Sequence, residues 1–488
     1  MQRLSGRALP VPVSLLFWVS QIHRVNHFSA SVALSAMSPS KPSFKRSADN
    51  RSISPPPLKR KVQTAISKSA VASFFTPASQ KPKEPTVWSE RSPDDNSPAT
   101  LLVAKYDKTE PDALAIKRRK IAAFDLDSTL IATASGKKHA GDSADWTWWH
   151  ESVPARLRQL YQDEGYQVVI FTNQGGLTLH PDPKTKAPVK FTKNRVAGFK
   201  AKCNAVLGQL GIPVTLYAAT GKDIFRKPRP GMWEELKKDY SLPEEEIDRE
   251  NSIFVGDAGG RTAELKGQAK DFSCSDRNLA SNIGIKYLTP EEYFLGEKSR
   301  EFKRDFDLEH FPLPEEEEET PRFEKKHEKE MVLFVGPPGA GKSTFFWKEL
   351  KPLGYERVNQ DLLKSKDKCF KTAAEWLKEG KSVVIDNTNA DPETRAQWVD
   401  LAKKHKVPIR CVWFKTPLHL CEHNSAVRAL NKSLNPEDRQ LLPQLAFNGF
   451  KSRFKEPKDK EGFDDITEVE FKFKGSKEEY AIWGKYWV

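Results

Sequence analysis

The chain has 488 residues and a formal net charge of +13, and 38% of its residues are hydrophobic while 34 are prolines. This length allows about three domain-sized units, the low hydrophobic share argues against a chain that is folded throughout, and the positive charge favours polyanionic partners. The five cysteines contain no Cys-x-x-Cys pair, which disfavours a zinc site. No apolar run is long enough to span a bilayer, so we expect no membrane partner.

Residues 1–115 are predicted to be disordered, because this basic region is rich in Ser and Pro and shows no sustained helical or strand period. Its first acidic residue is Asp49, so the start of the chain fits a mitochondrial transit peptide, an ordinary disordered tail, or translation from Met37. The Lys-Arg-Lys cluster at 59–61 is typical of nuclear import or of contact with nucleic acid. We therefore expect a nuclear protein, with the mitochondrion as an additional location.

A paired aromatic motif lies in the same region. The segment Lys68–Phe75 sets Val71 three residues before the aromatic pair of Phe74 and Phe75. It is similar to the motif by which repair proteins dock on the sliding clamp, although Lys68 stands where Gln is usual. Because an exposed aromatic pair in a disordered tail implies a partner, we expect the sliding clamp to bind this segment.

Apolar runs alternate with helical segments over 116–312, which we interpret as the first folded domain. This alternation is typical of the doubly wound α/β arrangement, in which helices cover both faces of a parallel sheet. The run of glutamates at 315–319 then predicts an acidic, solvated linker over 313–329. The predicted strands are 121–124, 168–172, 214–218 and 253–255, and the predicted helices are 153–164, 193–210 and 230–240.

Asp125 and Asp127 follow the first predicted strand, at the edge where open α/β sheets place their ligand chemistry. Asp125 can attack phosphorus and form an aspartyl-phosphate, and Asp127 can protonate the leaving oxygen and then activate water. Both carboxylates repel a phosphate, so we expect a cation, and Mg²⁺ suits an oxygen-rich site. Thr172 would hydrogen-bond the phosphoryl group, and Lys227 would neutralise its charge. The expected metal ligands are Asp125, Asp127 and Asp257, with either Asp271 or Asp276 as a further one.

A second alternating block is predicted over 330–488, and it again favours a doubly wound parallel sheet. The stretch 468–474 alternates apolar and charged residues, as an edge strand does. The predicted strands of the block are 332–335, 357–359, 383–386 and 409–414, and its predicted helices are 342–350, 372–378, 393–405 and 418–430.

A P-loop pattern lies between the first strand and the first helix of this block, as its mechanism demands. Backbone N–H groups and the helix N-terminus would cradle the phosphates of ATP. Lys342 would reach the β and γ oxygens, and Ser343 would bind Mg²⁺. The expected nucleotide-binding residues are Gly336, Pro337, Gly339, Ala340, Gly341, Lys342, Ser343 and Thr344.

Three further side chains complete the site expected around the P-loop. Asp361 follows the second strand and is the expected base for an accepting hydroxyl, with capping of the next helix as its alternative role. Asp386 ends the third strand, as a Walker B aspartate does. Arg428 lies late in a helix and would reach over the nucleotide to stabilise charge on the transferred phosphoryl group.

The motifs of both blocks resemble one known family. The strings Phe-Thr-Asn-Gln-Gly-Gly (171–176), Arg-Lys-Pro (226–228), Gly-Asp-Ala-Gly-Gly-Arg (256–261) and Asp-Phe-Ser-Cys-Ser-Asp (271–276) resemble the haloacid dehalogenase superfamily, and within it the phosphatase half of the polynucleotide kinase 3′-phosphatase family. Val-Asn-Gln-Asp (358–361), Asp-Asn-Thr-Asn (386–389) and His423-Asn424-x-x-x-Arg428 are similar to its kinase half. Many members have Arg at the position of Gln360, and animal members carry an N-terminal forkhead-associated domain for which 1–115 shows no strand series.

The resemblance implies a haloacid dehalogenase-like, Rossmannoid phosphatase domain followed by a P-loop kinase domain. It implies removal of 3′-phosphates and ATP-dependent phosphorylation of 5′-hydroxyls on nucleic-acid ends. Because a ligase needs a 3′-hydroxyl and a 5′-phosphate, our leading hypothesis is a DNA repair enzyme, expected to be a monomer, that prepares single- and double-strand breaks for ligation. The alternatives are RNA-end healing, a kinase and phosphatase pair for a small metabolite, and a scaffold with decayed sites. The net charge favours a nucleic acid, and the presence of Asp125 and Lys342 counts against a scaffold.

Overall fold

The computed structural model describes residues 85–107, 117–138, 140–180, 189–263, 269–304, 306–313 and 323–488, without the side chains of 189–192. The predicted clamp-binding segment Lys68–Phe75 and the basic cluster at 59–61 lie outside these residues. We call residues 85–313 the first half and residues 323–488 the second half. Among the helices of the described residues, none has the length and hydropathy needed to cross a bilayer.

The first half is built on a seven-stranded sheet. Its strands are β1 (Thr86–Arg91), β2 (Leu101–Tyr106), β3 (Lys120–Phe124), β6 (Tyr166–Asn173), β7 (Val214–Ala219), β8 (Ile253–Val255) and β9 (Lys286–Leu288), and a separate ribbon consists of β4 (Ile131–Ala132) and β5 (Thr147–Trp148). The strand order in the sheet is β1-β2-β7-β6-β3-β8-β9. The five strands β7, β6, β3, β8 and β9 run parallel to one another, whereas β2 pairs antiparallel with both β7 and β1.

Helices cover both faces of this sheet. They are α1 (Val153–Gln162), α2 (Val189–Leu210), α3 (Gly231–Asp239) and α4 (Ser275–Ile283). Ala122 and Phe124 pack in one core cluster with α1 and α2, whereas Ile121 and Ala123 pack in another with α3 and α4. A parallel strand buried on both faces reads as a continuous apolar run, which is why β3 was recognisable. The predicted doubly wound α/β class is confirmed.

Strands β1 and β2 contradict the prediction that residues 1–115 are disordered throughout. The residues Leu101–Ala104 are completely buried between both core clusters, and Arg91 forms ion pairs with Glu235 at 2.5 Å and Asp239 at 2.6 Å. The two strands are short and lie among polar and proline residues, so their local pattern is weak. Their order comes from pairing with β7 over the full length of β2, which is a tertiary contact.

We expect a chain that begins at residue 117 to fold far less stably than one that begins at residue 82. The shorter chain lacks β1 and β2, and burying each large aliphatic side chain of β2 contributes about 1.5–3 kcal/mol. Removal of Leu101, Leu102 and Val103 should therefore lower the free energy of unfolding by roughly 5 kcal/mol or more. Thermal unfolding and size-exclusion chromatography would measure this loss. Equal melting temperatures for the two chains would contradict the assignment of the hairpin to the core.

The second half is built on a five-stranded sheet whose strands are all parallel. Its strands are β10 (Met331–Val335), β11 (Glu356–Val358), β12 (Val383–Ile385), β13 (Ile409–Phe414) and β14 (Ile466–Val469), in the order β11-β12-β10-β13-β14. Its helices are α5 (Lys342–Phe345, continued by a π-helical turn over Phe346–Leu350), α6 (Gln360–Leu363), α7 (Lys366–Lys378), α8 (Pro392–Lys404), α9 (Leu418–Leu430), α10 (Gln444–Arg453) and α11 (Lys477–Trp483).

Several boundaries of the second half differ from prediction, and the helix predicted over 372–378 begins at Lys366. The edge strand expected at 468–474 is β14, which ends at Val469 because its partner β13 ends at Phe414, the residue opposite Val469. The acidic linker expected over 313–329 also ends earlier, since Phe323 is buried and packs edge-on against Phe345 and Tyr355. The packed part of the second half therefore begins at Phe323, although residues 324–328 are exposed.

Candidate active sites

Three carboxylates meet at the carboxyl edge of the first sheet. Asp125 directly follows β3, Asp257 follows β8, and Asp276 lies in the first turn of α4. One oxygen of each lies within 4.8 Å of the other two. Asp125 and Asp276 are buried and Asp257 is half-buried. The sequence predicted Asp125 and Asp257 together, and of its two further candidates the structure places Asp276 in this cluster.

Lys227 supplies the positive charge in this cluster. Its ammonium lies 2.5 Å from Asp125 Oδ1 and 2.8 Å from Asp276 Oδ1, and it also donates to the Phe171 carbonyl at 2.8 Å. The backbone of Lys227 is fixed by the Asn173 side chain, whose Oδ1 accepts from the Lys227 N–H at 2.9 Å. The strand end that carries Asn173 therefore positions the lysine expected from the sequence.

The pKa shifts of this cluster reflect three acidic groups that share one ammonium. Burial raises the pKa of Asp125 well above its ordinary value despite the opposing effect of Lys227, and the carboxylates of Asp276 and Asp257 raise it further. Burial and Asp276 raise the pKa of Asp257 to about 7. Burial lowers the pKa of Lys227, but its two carboxylate neighbours outweigh burial and raise it above its ordinary value. One ammonium against three carboxylates leaves a site that a divalent cation fits.

Asp127 does not share this cluster, contrary to the expectation that it is a metal ligand. Its side chain is half exposed, lies 3.0 Å from Lys202, and accepts a hydrogen bond from Gln174 at 2.7 Å. The chain turns sharply at Ser128, where φ is +64°, which leaves the Asp127 carboxylate at the solvent side. The same Gln174 amide donates to Thr172 at 3.0 Å, so Asp127 and Thr172 are both reached by one side chain.

Asp271, the other candidate carboxylate, shapes the loop beside the cluster instead of joining it. It accepts from the backbone N–H groups of Gly259 and Arg261 at 3.1 and 3.0 Å, and it pairs with the Arg261 side chain at 2.9 Å. Arg261 in turn donates to the Asp257 carbonyl at 3.3 Å. Asp271 therefore contacts the cluster only through its neighbours.

The P-loop has the backbone shape that phosphate binding requires. Gly339 has φ +83°, and a Cβ atom there would lie 2.3 Å from the Cys421 carbonyl oxygen. Gly341 has φ +93° and directly precedes α5. A side chain at Gly339 would push the loop away from α9, so this position needs glycine.

The P-loop side chains face the end of β12. The Lys342 ammonium is buried and donates to the carbonyls of Gly336 at 3.0 Å and Pro337 at 2.5 Å, and burial lowers its pKa to about 8. Ser343 Oγ donates to Asp386 Oδ2 at 2.9 Å. The structure thus brings together the serine and the Walker B aspartate that the sequence predicted separately.

Arg357 joins this pair and was missed by sequence reasoning. Its guanidinium lies 2.6 Å from the Asp386 carboxylate, donates to Ser343 Oγ at 2.7 Å, and pairs with Glu437 at 2.7 Å. Its side chain is only 6% exposed. The sequence does contain a signal for this role, since Arg357 lies in the middle of the short strand β11. An arginine at a buried strand position needs an acidic or polar partner.

Asp361 faces a cleft of about 1800 Å³ in front of the P-loop. Its carboxylate is exposed and contacts Arg439, which also pairs with Glu437 at 2.8 Å. The alternative role of Asp361 as a helix cap is wrong, since Asn359 caps α6 by accepting from the N–H groups of Asp361 and Leu362. The cleft is also lined by Lys342, Ser343, Thr344, Asp386 and Arg428.

Arg428 reaches this cleft from α9, as expected. It is half-buried, burial lowers its pKa, and its Nε has no hydrogen-bond partner among the described residues. An incompletely paired guanidinium that faces a cleft is available for an anionic ligand. Arg439, on the loop after α9, was not expected, and nothing in its local sequence sets it apart from other surface arginines.

Two family models match the chain, one in each half. The model described as "Polynucleotide kinase 3 phosphatase" matches residues 120–294, which contain the carboxylate cluster. The model described as "AAA domain" matches residues 364–457, which contain Asp386 and Arg428. The first model therefore covers the carboxylate cluster, whereas the second covers Asp386 and Arg428 but begins after the P-loop and Asp361.

Named relatives match most of this chain or about a third of it. A Schizosaccharomyces pombe protein named "Bifunctional polynucleotide phosphatase/kinase" is 41% identical over 377 residues, which are 76% of this chain and 83% of that protein. "Polynucleotide 3'-phosphatase" of Saccharomyces cerevisiae is 31% identical over 36% of this chain and 87% of its own length. "Polynucleotide 3'-phosphatase ZDP" of Arabidopsis thaliana is 34% identical over 36% of this chain and 24% of its own length. The chain therefore belongs to the family of bifunctional polynucleotide phosphatase/kinases.

Proposed function

We propose that this protein heals DNA ends, by hydrolysing 3′-phosphates in its first half and by phosphorylating 5′-hydroxyls with ATP in its second half. Such ends then carry the 3′-hydroxyl and 5′-phosphate that ligation needs. The observation that carries the proposal is the pairing of two separate phosphate-handling sites, around Asp125 and around Lys342, in one chain that matches a bifunctional relative over most of its length.

In the phosphatase reaction, Asp125 is the nucleophile. Its oxygen bonds to phosphorus while the bond between phosphorus and the 3′ oxygen breaks, and Asp127 gives that oxygen a proton. Asp127 then removes a proton from water, which attacks the aspartyl-phosphate and releases inorganic phosphate. Lys227 favours the ionised form of Asp125 against the opposing effect of burial and offsets the charge of the substrate, and Thr172 donates a hydrogen bond to the phosphoryl group.

Mg²⁺ fits the carboxylate cluster because its three acidic groups exceed their ammonium partner in charge. Asp125, Asp257 and Asp276 would hold the ion, and Asp127, which lies outside this cluster, would transfer the proton. The ion would neutralise charge between the carboxylates and the phosphoryl group. In the second half, Ser343 and Asp386, which are neighbours at 2.9 Å, would hold the ion that accompanies ATP.

In the kinase reaction, Asp361 removes the proton from the 5′-hydroxyl as its oxygen attacks the γ-phosphorus. The bond from that phosphorus to the β–γ bridging oxygen breaks, and ADP leaves. Lys342 and the backbone of the P-loop bind the β and γ oxygens. Arg439 contacts the Asp361 carboxylate and can hold it in place, and Arg428 stabilises charge on the transferred group from the facing helix.

Activity on defined ends tests this function. The protein would be incubated with Mg²⁺, labelled ATP, and DNA or RNA strands that carry either a 3′-phosphate or a 5′-hydroxyl. We expect DNA to be processed at both ends. Faster processing of RNA would favour RNA-end healing, and processing of a sugar phosphate but of neither polymer would favour the metabolite enzyme.

The segment Lys68–Phe75 is proposed to bind the sliding clamp, and the enzyme is proposed to act as a monomer in the nucleus, with the mitochondrion as an additional location. The support is the aromatic pair and the basic cluster of the sequence. Replacement of both Phe74 and Phe75 by alanine should abolish capture by the clamp without changing either activity. Retained capture would contradict this docking role.

Asp276 and Asp271 should respond differently to the same substitution. We expect Asp276→Asn to raise the Mg²⁺ concentration needed for half-maximal phosphatase activity by at least about tenfold, because it removes an oxygen of the cluster. Asp271→Asn should raise it less, since that carboxylate bonds to Gly259 and Arg261. Magnesium titrations of both variants would measure the two shifts. The reverse order would make Asp271 the metal ligand.

A further inference from the structure

We infer that the segment Trp483–Trp487 of the kinase half positions the loop that carries Lys227 in the phosphatase half. We call this stretch the C-terminal segment, and we call residues 226–229 the lysine loop. The inference rests on the proposed function, because it assumes that Lys227 serves the phosphatase reaction. It assigns positioning residues that lie more than two hundred positions away from Lys227 in the chain.

Arg229 ties the lysine loop to the C-terminal segment. Its Nε donates to the Trp487 carbonyl at 2.9 Å, and its Nη1 donates to the carbonyls of Lys222 and Asp223 at 2.7 Å each. Arg229 is buried, and burial lowers its pKa to about 10. A buried guanidinium that relies on carbonyl acceptors loses much when one of them is removed, because the freed N–H cannot reach water.

Asn282 makes a second link, because it connects the C-terminal segment both to the lysine loop and to the helix that carries Asp276. Its amide exchanges two hydrogen bonds with the backbone of Tyr486, one to the carbonyl and one from the N–H, each at 2.7 Å. The same amide donates to the Pro228 carbonyl at 2.8 Å. Pro228 follows Lys227 directly, and Asn282 lies on α4, the helix that carries Asp276. The segment therefore supports the lysine loop and the helix of its carboxylate partner together.

The C-terminal segment is itself firmly held by the kinase half. Trp483, Tyr486 and Trp487 are each 6% exposed or less. Trp483 Nε1 donates to Asn424 Oδ1 at 2.8 Å, and the Asn424 amide donates to the carbonyl of Gly339 in the P-loop at 3.0 Å. The Trp483 carbonyl also pairs with the buried His423 at 2.9 Å. Because the C-terminal segment is anchored by these hydrogen bonds, it can fix the position of the lysine loop that contacts it.

The expected consequence is a partial loss of phosphatase turnover when the segment is removed. A displacement of about 1 Å at a reacting group can lower a rate by up to about 10²-fold, and the Lys227 ammonium reaches both of its carboxylates only from this loop. The Saccharomyces cerevisiae relative is named a 3'-phosphatase. The match covers 87% of that protein but only 36% of this chain, so that protein lacks a counterpart of most of this chain. The loss should therefore fall short of complete inactivation.

The test uses the full chain and three variants. One stops after Lys485 and so lacks Tyr486, Trp487 and Val488; the second is Asn282→Leu, which removes the amide but keeps the size of the side chain. The control lacks only Val488, which is 46% exposed. For each variant, kcat and KM of both reactions would be measured on the same preparation, together with backbone amide exchange over residues 224–231.

We expect the first two variants to lower the phosphatase kcat about tenfold with KM within about twofold, because the lysine loop shifts while the substrate site remains. Kinase activity should stay within about twofold, and amide exchange over 224–231 should accelerate. The control should match the full chain. An unchanged phosphatase kcat, or an equal fall of both activities, would overturn the inference. If the full chain itself releases no 3′-phosphate, the proposed function fails, and unchanged amide exchange would separately reject the positioning role.

Discussion

Asp125→Ala is expected to lower 3′-phosphatase activity by at least about 10⁴-fold, because it removes the proposed nucleophile of the covalent step. The kinase activity should stay within about twofold, since Asp125 lies in the first sheet and the P-loop in the second. Release of inorganic phosphate from a 3′-phosphorylated strand, and transfer of label from ATP to a 5′-hydroxyl strand, would measure the two effects in one preparation.

A second variant and a control separate chemistry from folding. Asp125→Asn keeps the size of the side chain beside Lys227 and should be as inactive as the alanine variant. Asp163→Asn changes an exposed carboxylate at the end of α1 and should behave like the unchanged protein. An Asp125→Asn protein that still releases phosphate at a normal rate would refute the nucleophile assignment.

Lys342→Ala is expected to have the opposite pattern, with 5′-kinase activity reduced by about 10²–10³-fold and phosphatase activity retained. Lys342 is buried at the start of α5, and its ammonium is the P-loop charge that we propose binds the β and γ oxygens of ATP. The affinity for ATP, followed by calorimetry, should fall together with the rate.

Lys378→Ala is the matched control in the same half, because that lysine lies on the exposed side of α7. It should leave both activities unchanged. If a folded Lys342→Ala protein loses both activities, the two reactions share one site, and the assignment of a separate kinase centre would be wrong.

The sequence predicts both sites because each depends on residues that lie one or two positions after an apolar parallel strand. Asp125 follows β3, Asp257 follows β8 and Asp386 follows β12, so their positions are determined locally by strand ends. The same logic accounts for Lys342, whose loop has a glycine pattern with few other uses. Fold class, family and most candidate site residues were therefore accessible before any coordinates.

What the sequence does not predict depends on contacts between distant segments. Strands β1 and β2 are ordered by β7, over one hundred residues later. The sequence does not distinguish Asp276 from Asp271 as the further metal ligand, and only the fold shows that Asp276 lies beside Lys227. Asp127 was expected in the metal site because it lies two residues after Asp125, but the turn at Ser128 ends the strand geometry on which that expectation relied.

Because of Arg357, the stability of the two halves should depend to different extents on bound divalent cations. In the second half, this guanidinium lies between Asp386 and Glu437, so the polypeptide itself supplies a countercharge. In the described part of the first half, the Lys227 ammonium contacts only two carboxylates of a group of three. A chelator such as EDTA should therefore lower the melting temperature of the phosphatase domain more than that of the kinase domain, because self-repulsion there goes unscreened when divalent ions are withdrawn.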